Sequence, residues 1–191
     1  MRIAFIIYDG MTALDFVGVF DAVTRLKTMG FVADLEWDVC AMTAEVTDFS
    51  GLRIAASHVG GELGHYDWVI VPGGFSSRKL AKDAAFIAWL ESARDCKLRA
   101  SVCTGSVLLG AAGFLKGKRA TTHRSAFDEL RPFCDEVIDE RIVDEGDVIT
   151  ARGVTSAIDL GLYLCEKVAG RDVRRRIATQ MDYFDSAPVC G

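Results

Sequence analysis

Cys103 stands where an apolar run gives way to small residues, in the stretch LRASVCTGSVLLGAAGFL from Leu98 to Leu115. Leu98 to Val102 reads as a short buried strand, and Thr104, Gly105 and Ser106 supply the small side chains that a sharp turn into a helix requires. A sulfur at that bend faces unpaired backbone N–H groups and the partial positive charge of a helix start. Both favour the thiolate, so a lowered thiol pKa is expected. Cys103 is then an activated nucleophile, or else a core thiol, since free cysteine is among the most buried residue types.

Other groups could act on the same centre. Asp15 lies among Leu14, Phe16 and Val17 in an expected helix, so its carboxyl sits among side chains that should be buried. Burial without a partner costs several kcal/mol and raises a carboxyl pKa. Such a group can exchange a proton with a thiol, which would make Asp15 a general acid/base for Cys103. The alternative is an acidic first-turn residue that stabilises its own helix through the dipole. Gly73 and Gly74, in VPGGF, let the backbone approach a ligand and aim N–H groups at it, as an oxyanion site needs, or else form an ordinary strand-to-loop turn. His123 closes the run ATTH, twenty positions after Cys103. It could hold a thiolate, face a subunit contact or serve as a hydrogen-bonded structural residue. His58 and His65 have no partner spacing and take no role.

The elements that must carry these groups alternate. Arg2 to Tyr8 is a continuous β-branched and aromatic run of the kind buried in a parallel sheet, and Asp9-Gly10 turns it into a helix over about Thr12 to Met29. Glu36 to Met42 is a strand, and Glu45 to Ser57, split at Ser50-Gly51, predicts an antiparallel hairpin at a sheet edge. Trp68 to Val71 is a further strand, followed by a helix over about Asp83 to Asp95. The Cys103 strand and a helix over Thr104 to Ala112 come next. A short strand over Arg119 to Thr122 and a short helix over Ala126 to Leu130 follow, then a hairpin of Arg141 to Glu145 with Val148 to Ala151. Helices over about Thr155 to Val168 and Arg171 to Met181 finish the pattern. Repeated strand-to-helix steps predict an α/β fold, a three-layer α/β/α sandwich with a mostly parallel sheet and added antiparallel hairpins. In such sheets, sites form beyond the carboxyl ends of the strands.

Composition agrees with that plan. The 191 residues, 50% of them hydrophobic, suit one domain over 1–191, with no low-complexity tract or repeat. A net charge of −5 is spread along the chain, and the basic cluster of Arg171, Arg174, Arg175 and Arg176 has acidic neighbours. Neither nucleic acid nor a membrane is an expected partner. The N-terminal apolar run breaks at Asp9, too short for a secretory signal, and a cytoplasmic location is expected. The six cysteines, Cys40, Cys96, Cys103, Cys134, Cys165 and Cys190, show no metal or disulfide spacing and read as free thiols.

VPGGF, SVCTGSVLLGAAGFLKGKRATTH and GVTSAIDLGL together resemble the ThiJ/PfpI superfamily, of class I glutamine amidotransferase-like fold, over nearly the whole chain. Within it, LDFVGVFDAV paired with the CTGS elbow is most similar to the isocyanide hydratase branch. That resemblance implies a homodimeric flavodoxin-like sandwich. It also implies Cys103 as nucleophile, Asp15 beside its sulfur, and the backbone at Gly74 and Thr104 lining the pocket. Amidotransferase and protease-like members carry histidine directly after the nucleophile, where this chain has Thr104, so a Cys-His-acid triad is not expected. The elbow and ATTH also occur in sensor domains of AraC-type regulators, but no helix-turn-helix segment follows before Gly191, nor does the C-terminal extension of the hydratase branch. The expected activity is cysteine-dependent hydration of an isocyanide to an N-substituted formamide through a thioimidate, with no metal or organic cofactor. A glyoxalase or deglycase-like enzyme acting on α-oxoaldehydes is the alternative, as is a redox sensor whose Cys103 becomes a sulfinate held by Asp15. The partners are a small-molecule substrate and a second subunit. Phe16, Phe75 and residues near Val154 are candidate pocket walls.

Overall fold

The computed structural model describes residues 1–183, and Cys190 lies outside the described residues. In chain order the elements are β1 (Arg2–Ile6), α1 (Ala13–Thr28), β2 (Glu36–Ala41), β3 (Glu45–Thr47), β4 (Arg53–Ala55), β5 (His58–Val59), β6 (Trp68–Val71), α2 (Ser77–Leu80) and α3 (Ala84–Glu91). They continue with β7 (Leu98–Val102), α4 (Gly105–Ala111), β8 (Arg119–Ala120), α5 (Phe127–Leu130), β9 (Glu136–Val137), β10 (Ile142–Asp144), β11 (Val148–Ala151), α6 (Ser156–Ala169) and α7 (Arg171–Gln180).

Seven strands form the central sheet in the order β10-β11-β7-β6-β1-β2-β5, all neighbours parallel except β10 with β11. The apolar run of β1 is buried except at Arg2, as a middle strand covered on both faces must be. Phe16, Val19, Ala22, Val23 and Leu26 make the buried stripe of α1, and Ala157, Leu160, Gly161, Leu164 and Cys165 that of α6. These helices pack together with α7 on one face, while α3 and α4 cover the other. That division follows from right-handed crossovers that run in opposite directions from β1. The result is the three-layer α/β/α sandwich the alternation predicted.

The hairpin of β3 and β4 forms its own two-stranded sheet, and the edge position expected for it is taken by β5. With two residues, β5 is too short to show a periodic pattern, and β9 and α2 escape notice for the same reason. Among the described residues, no helix is long and apolar enough to cross a membrane.

Helices α1 and α6 touch closely because Gly161 has no side chain. A Cβ there would lie 2.7 Å from Ala22 Cβ and 3.1 Å from the Val19 carbonyl oxygen. Gly161→Val is therefore expected to push the helices apart and cost about 1–3 kcal/mol or more, read as a lower urea midpoint. An unchanged midpoint would show that the helices have slack.

Register decides where chemistry can occur. Phe5 pairs with Ile70, and Val71 pairs with Ser101, so β1, β6 and β7 end side by side at one edge. The chain passes from β1 to β2 on one side and then returns to β6 on the other. That reversal opens a crevice beyond the carboxyl ends of β1 and β6.

Candidate active site

Cys103 follows β7 with φ +55, a left-handed conformation that costs a non-glycine residue energy and persists only when its surroundings impose it. Its N–H donates to the Ala151 carbonyl at 2.9 Å, and its own carbonyl accepts from Ser106 Oγ at 3.1 Å and Thr122 Oγ1 at 3.0 Å. Gly105 completes the bend, since a Cβ there would lie 2.3 Å from the Val71 carbonyl oxygen. The small residues after Cys103 thus let the elbow press against the end of β6.

Asp15, in the first turn of α1, is wholly buried at 0% exposure. Its Oδ2 accepts the Gly73 N–H at 2.9 Å, while Oδ1 completes no well-directed hydrogen bond and is left to the neighbouring Cys103 thiol. Burial pushes the carboxyl up to about 7, against the opposing pull of the Gly73 N–H and then the thiol. The raised carboxyl pKa expected from its setting is present, but for a different reason. Leu14 and Val17 are exposed, and the desolvating surroundings come from the sheet edge and the elbow.

The lowered thiol pKa expected for Cys103 is corrected. Burial, followed by the charge of Asp15, pushes the thiol up to about 12, outweighing the Thr104 N–H and hydroxyl that favour the thiolate. With seven residues, α4 has too little dipole to reverse that balance. Cys103 therefore rests as a thiol beside a carboxyl that loses its proton far more readily.

Gly73 and Gly74 do not offer free oxyanion donors, which corrects a second expectation. The Gly73 N–H is spent on Asp15, and the Gly74 N–H donates to Thr104 Oγ1 at 2.9 Å. Thr104 Oγ1 in turn lies 3.1 Å from the Gly74 carbonyl, so its hydroxyl proton can go there or turn to the Cys103 sulfur. The two glycines act as a clip that holds the acid and the elbow together. Tyr8, read from sequence only as a strand residue, fixes that clip by donating its hydroxyl to the Pro72 carbonyl at 2.9 Å.

A cavity of about 510 Å³ opens over Cys103, Thr104 and Gly74. Leu14, Phe49, Phe75 and Val154 give it apolar walls, and Arg78, His123 and Ser125 give it a polar side. Phe75 and Val154 thus stand where a wall was expected. Phe16 does not, because its ring is buried against Phe5 and Phe20 in the core. His123 lines the cavity, with Nδ1 accepting the Ser125 N–H at 3.3 Å and lying 2.8 Å from Ser125 Oγ. Nδ1 is thereby engaged in a local turn rather than with the sulfur. Arg78 was missed, and nothing local marks it. It reaches the cavity through α2 and is oriented by Glu129, with Nε 2.7 Å from Oε2 and Nη2 donating to Oε1 at 3.0 Å. Among the described residues, no cluster of three histidine, cysteine or acidic side chains could hold a metal ion.

The family model for the DJ-1/PfpI family matches residues 1–167. An isonitrile hydratase from Pseudomonas putida is 31% identical over 189 residues, covering 98% of this chain and 81% of that protein. Protein DJ-1alpha from Drosophila melanogaster is 26% identical over 181 residues, covering 92% of this chain and 81% of its own length. A solved ThiJ/PfpI family protein from Pseudomonas syringae superposes with a TM-score of 0.88 at 30% identity, covering 98% of this chain and 76% of that one. On the match of its sequence and of its flavodoxin-like sandwich, this chain belongs to the DJ-1/PfpI family.

Proposed function

We propose that this chain hydrates isocyanides, R–N≡C, to N-substituted formamides, with Cys103 as nucleophile and Asp15 as proton carrier. One observation carries this reading: a wholly buried carboxyl whose second oxygen is left to the thiol. The similarity to an isonitrile hydratase supports the same chemistry.

Because the thiol holds its proton much more tightly than the carboxyl, a free thiolate does not accumulate before substrate arrives. The Asp15 carboxylate takes the thiol proton as the sulfur bonds to the terminal isocyanide carbon. It then passes that proton to the same carbon, which gives the thioimidate R–N=CH–S–Cys103. Water adds to this carbon, its proton travelling through Asp15 to the nitrogen. When the carbon–sulfur bond breaks, the hydroxyl proton returns to sulfur and R–NH–CHO leaves. The Thr104 N–H and hydroxyl, which favour negative charge on the sulfur, stabilise the transition states on both sides of the thioimidate.

The test is turnover measured side by side on a simple isocyanide and on methylglyoxal. Formamide production from the isocyanide, with little or no consumption of methylglyoxal, is the expected result. The reverse pattern would assign a glyoxalase-like activity instead, and turnover of neither would leave a non-catalytic or redox role.

A further inference from the structure

Phe75 and Phe49 are the most exposed large apolar side chains among the described residues, at 71% and 54%. They come from separate parts of the fold, the loop after β6 and the turn between β3 and β4. Their rings nevertheless meet edge to face, with centroids 5.5 Å apart and planes at 67°. Both line the cavity above Cys103, with Leu14 completing the apolar side. Leaving two aromatic rings in water forfeits burial, so a preformed aromatic pair at a cavity mouth points to an apolar ligand group that covers it.

The backbones beneath the rings are pinned. The Phe49 N–H donates to the Met11 carbonyl at 3.1 Å. Asp48 Oδ1 accepts the Ser50 and Leu52 N–H groups, each at 2.8 Å, and so closes the turn that presents the ring. On the other side, the carbonyl of Gly74, directly before Phe75, accepts from Ser77 N–H at 3.2 Å and Ser77 Oγ at 2.8 Å. The Gly74 N–H is held by Thr104, so this ring is tied to the elbow that carries the nucleophile.

An isocyanide makes this arrangement selective. Its nitrogen is linear, so a substituent on it must project straight away from the carbon under attack. With that carbon at the Cys103 sulfur on the cavity floor, the substituent is recognised at the mouth. Resting on the proposed hydratase reading, we infer that Phe49 and Phe75 form an aromatic clamp that selects isocyanides bearing an aromatic substituent. Of the polar lining residues, Arg78 is already engaged by Glu129 and His123 by Ser125, whereas Phe49 and Phe75 present apolar faces to the cavity.

The experiment compares kcat/KM for benzyl isocyanide and ethyl isocyanide in the wild type, Phe49→Ala, Phe75→Ala and Phe75→Leu. The wild type is expected to favour the benzyl substrate by about 10–100-fold, the usual range for filling an apolar pocket. Each alanine substitution should reduce the benzyl-to-ethyl ratio by about 10-fold, and Phe75→Leu by less, since it keeps bulk but loses the ring. Equal wild-type rates for the two substrates, or a ratio that survives both alanine substitutions, overturns the clamp while leaving hydration by Cys103 intact. Failure of the wild type to turn over either isocyanide overturns the hydratase reading, and the clamp falls with it.

Discussion

Cys103→Ala is expected to lower kcat for isocyanide hydration by at least about 10⁴-fold, the scale seen when a covalent nucleophile is removed. The substitution deletes only the sulfur. Alanine meets the same left-handed φ as cysteine, and the hydrogen bonds that impose it come from the Cys103 backbone, Ser106 and Thr122. Stability should therefore move by no more than about 1–2 kcal/mol, and urea unfolding can check this on the same preparation. Retained turnover in a variant with an unchanged midpoint would remove Cys103 from the chemistry.

Asp15→Asn is expected to change activity and stability in opposite directions. Activity should fall by about 10²–10⁴-fold, since asparagine can still accept the Gly73 N–H but cannot carry a proton. The wild-type pH profile of kcat/KM should rise through about pH 7 as Asp15 becomes a base, and the variant should lose that step. For stability, the carboxyl titrates near its model value of 3.8 when unfolded and near 7 when folded. Between those values the folded chain binds the extra proton, so stability declines as pH climbs from about 4 to about 7. That difference amounts to about 4 kcal/mol withheld from the folded wild type above pH 8. Neutral asparagine avoids the loss. The variant should thus unfold at higher urea than the wild type at pH 8, and the gap should close towards pH 4. A wild type with equal stability at both pH values would show that Asp15 is not held in a desolvated site.

The raised thiol pKa points the same way. Cys103 keeps its proton at neutral pH, held there by burial and by repulsion between a thiolate and the Asp15 carboxylate. In the proposed reaction, the neighbouring carboxyl supplies as a base what the elbow lacks in thiolate character.

Several parts of this protein were legible without coordinates because they depend on neighbours along the chain. The apolar run of β1, the stripe of α1 and the small residues around Cys103 each follow from spacing over a few positions, and so does the alternation that predicts the sandwich. Asp15 could be singled out in the same way, as a carboxyl within an apolar helix start. The state of these groups was another matter. Whether Cys103 ionises depends on its burial and on a charge 88 positions earlier in the chain, brought beside it because β1 and β7 flank β6. Whether Gly73 and Gly74 face a ligand or each other's neighbours depends on Asp15 and Thr104 arriving from two other strand ends. Phe16 and Phe75 have the same chemistry in one dimension, yet one fills the core and the other lines the cavity mouth. Backbone bends and helix faces are set by local sterics and periodicity. Desolvation, hydrogen-bond allocation and cavity shape arise from segments distant in sequence, and only their parallel pairing decides which of them meet.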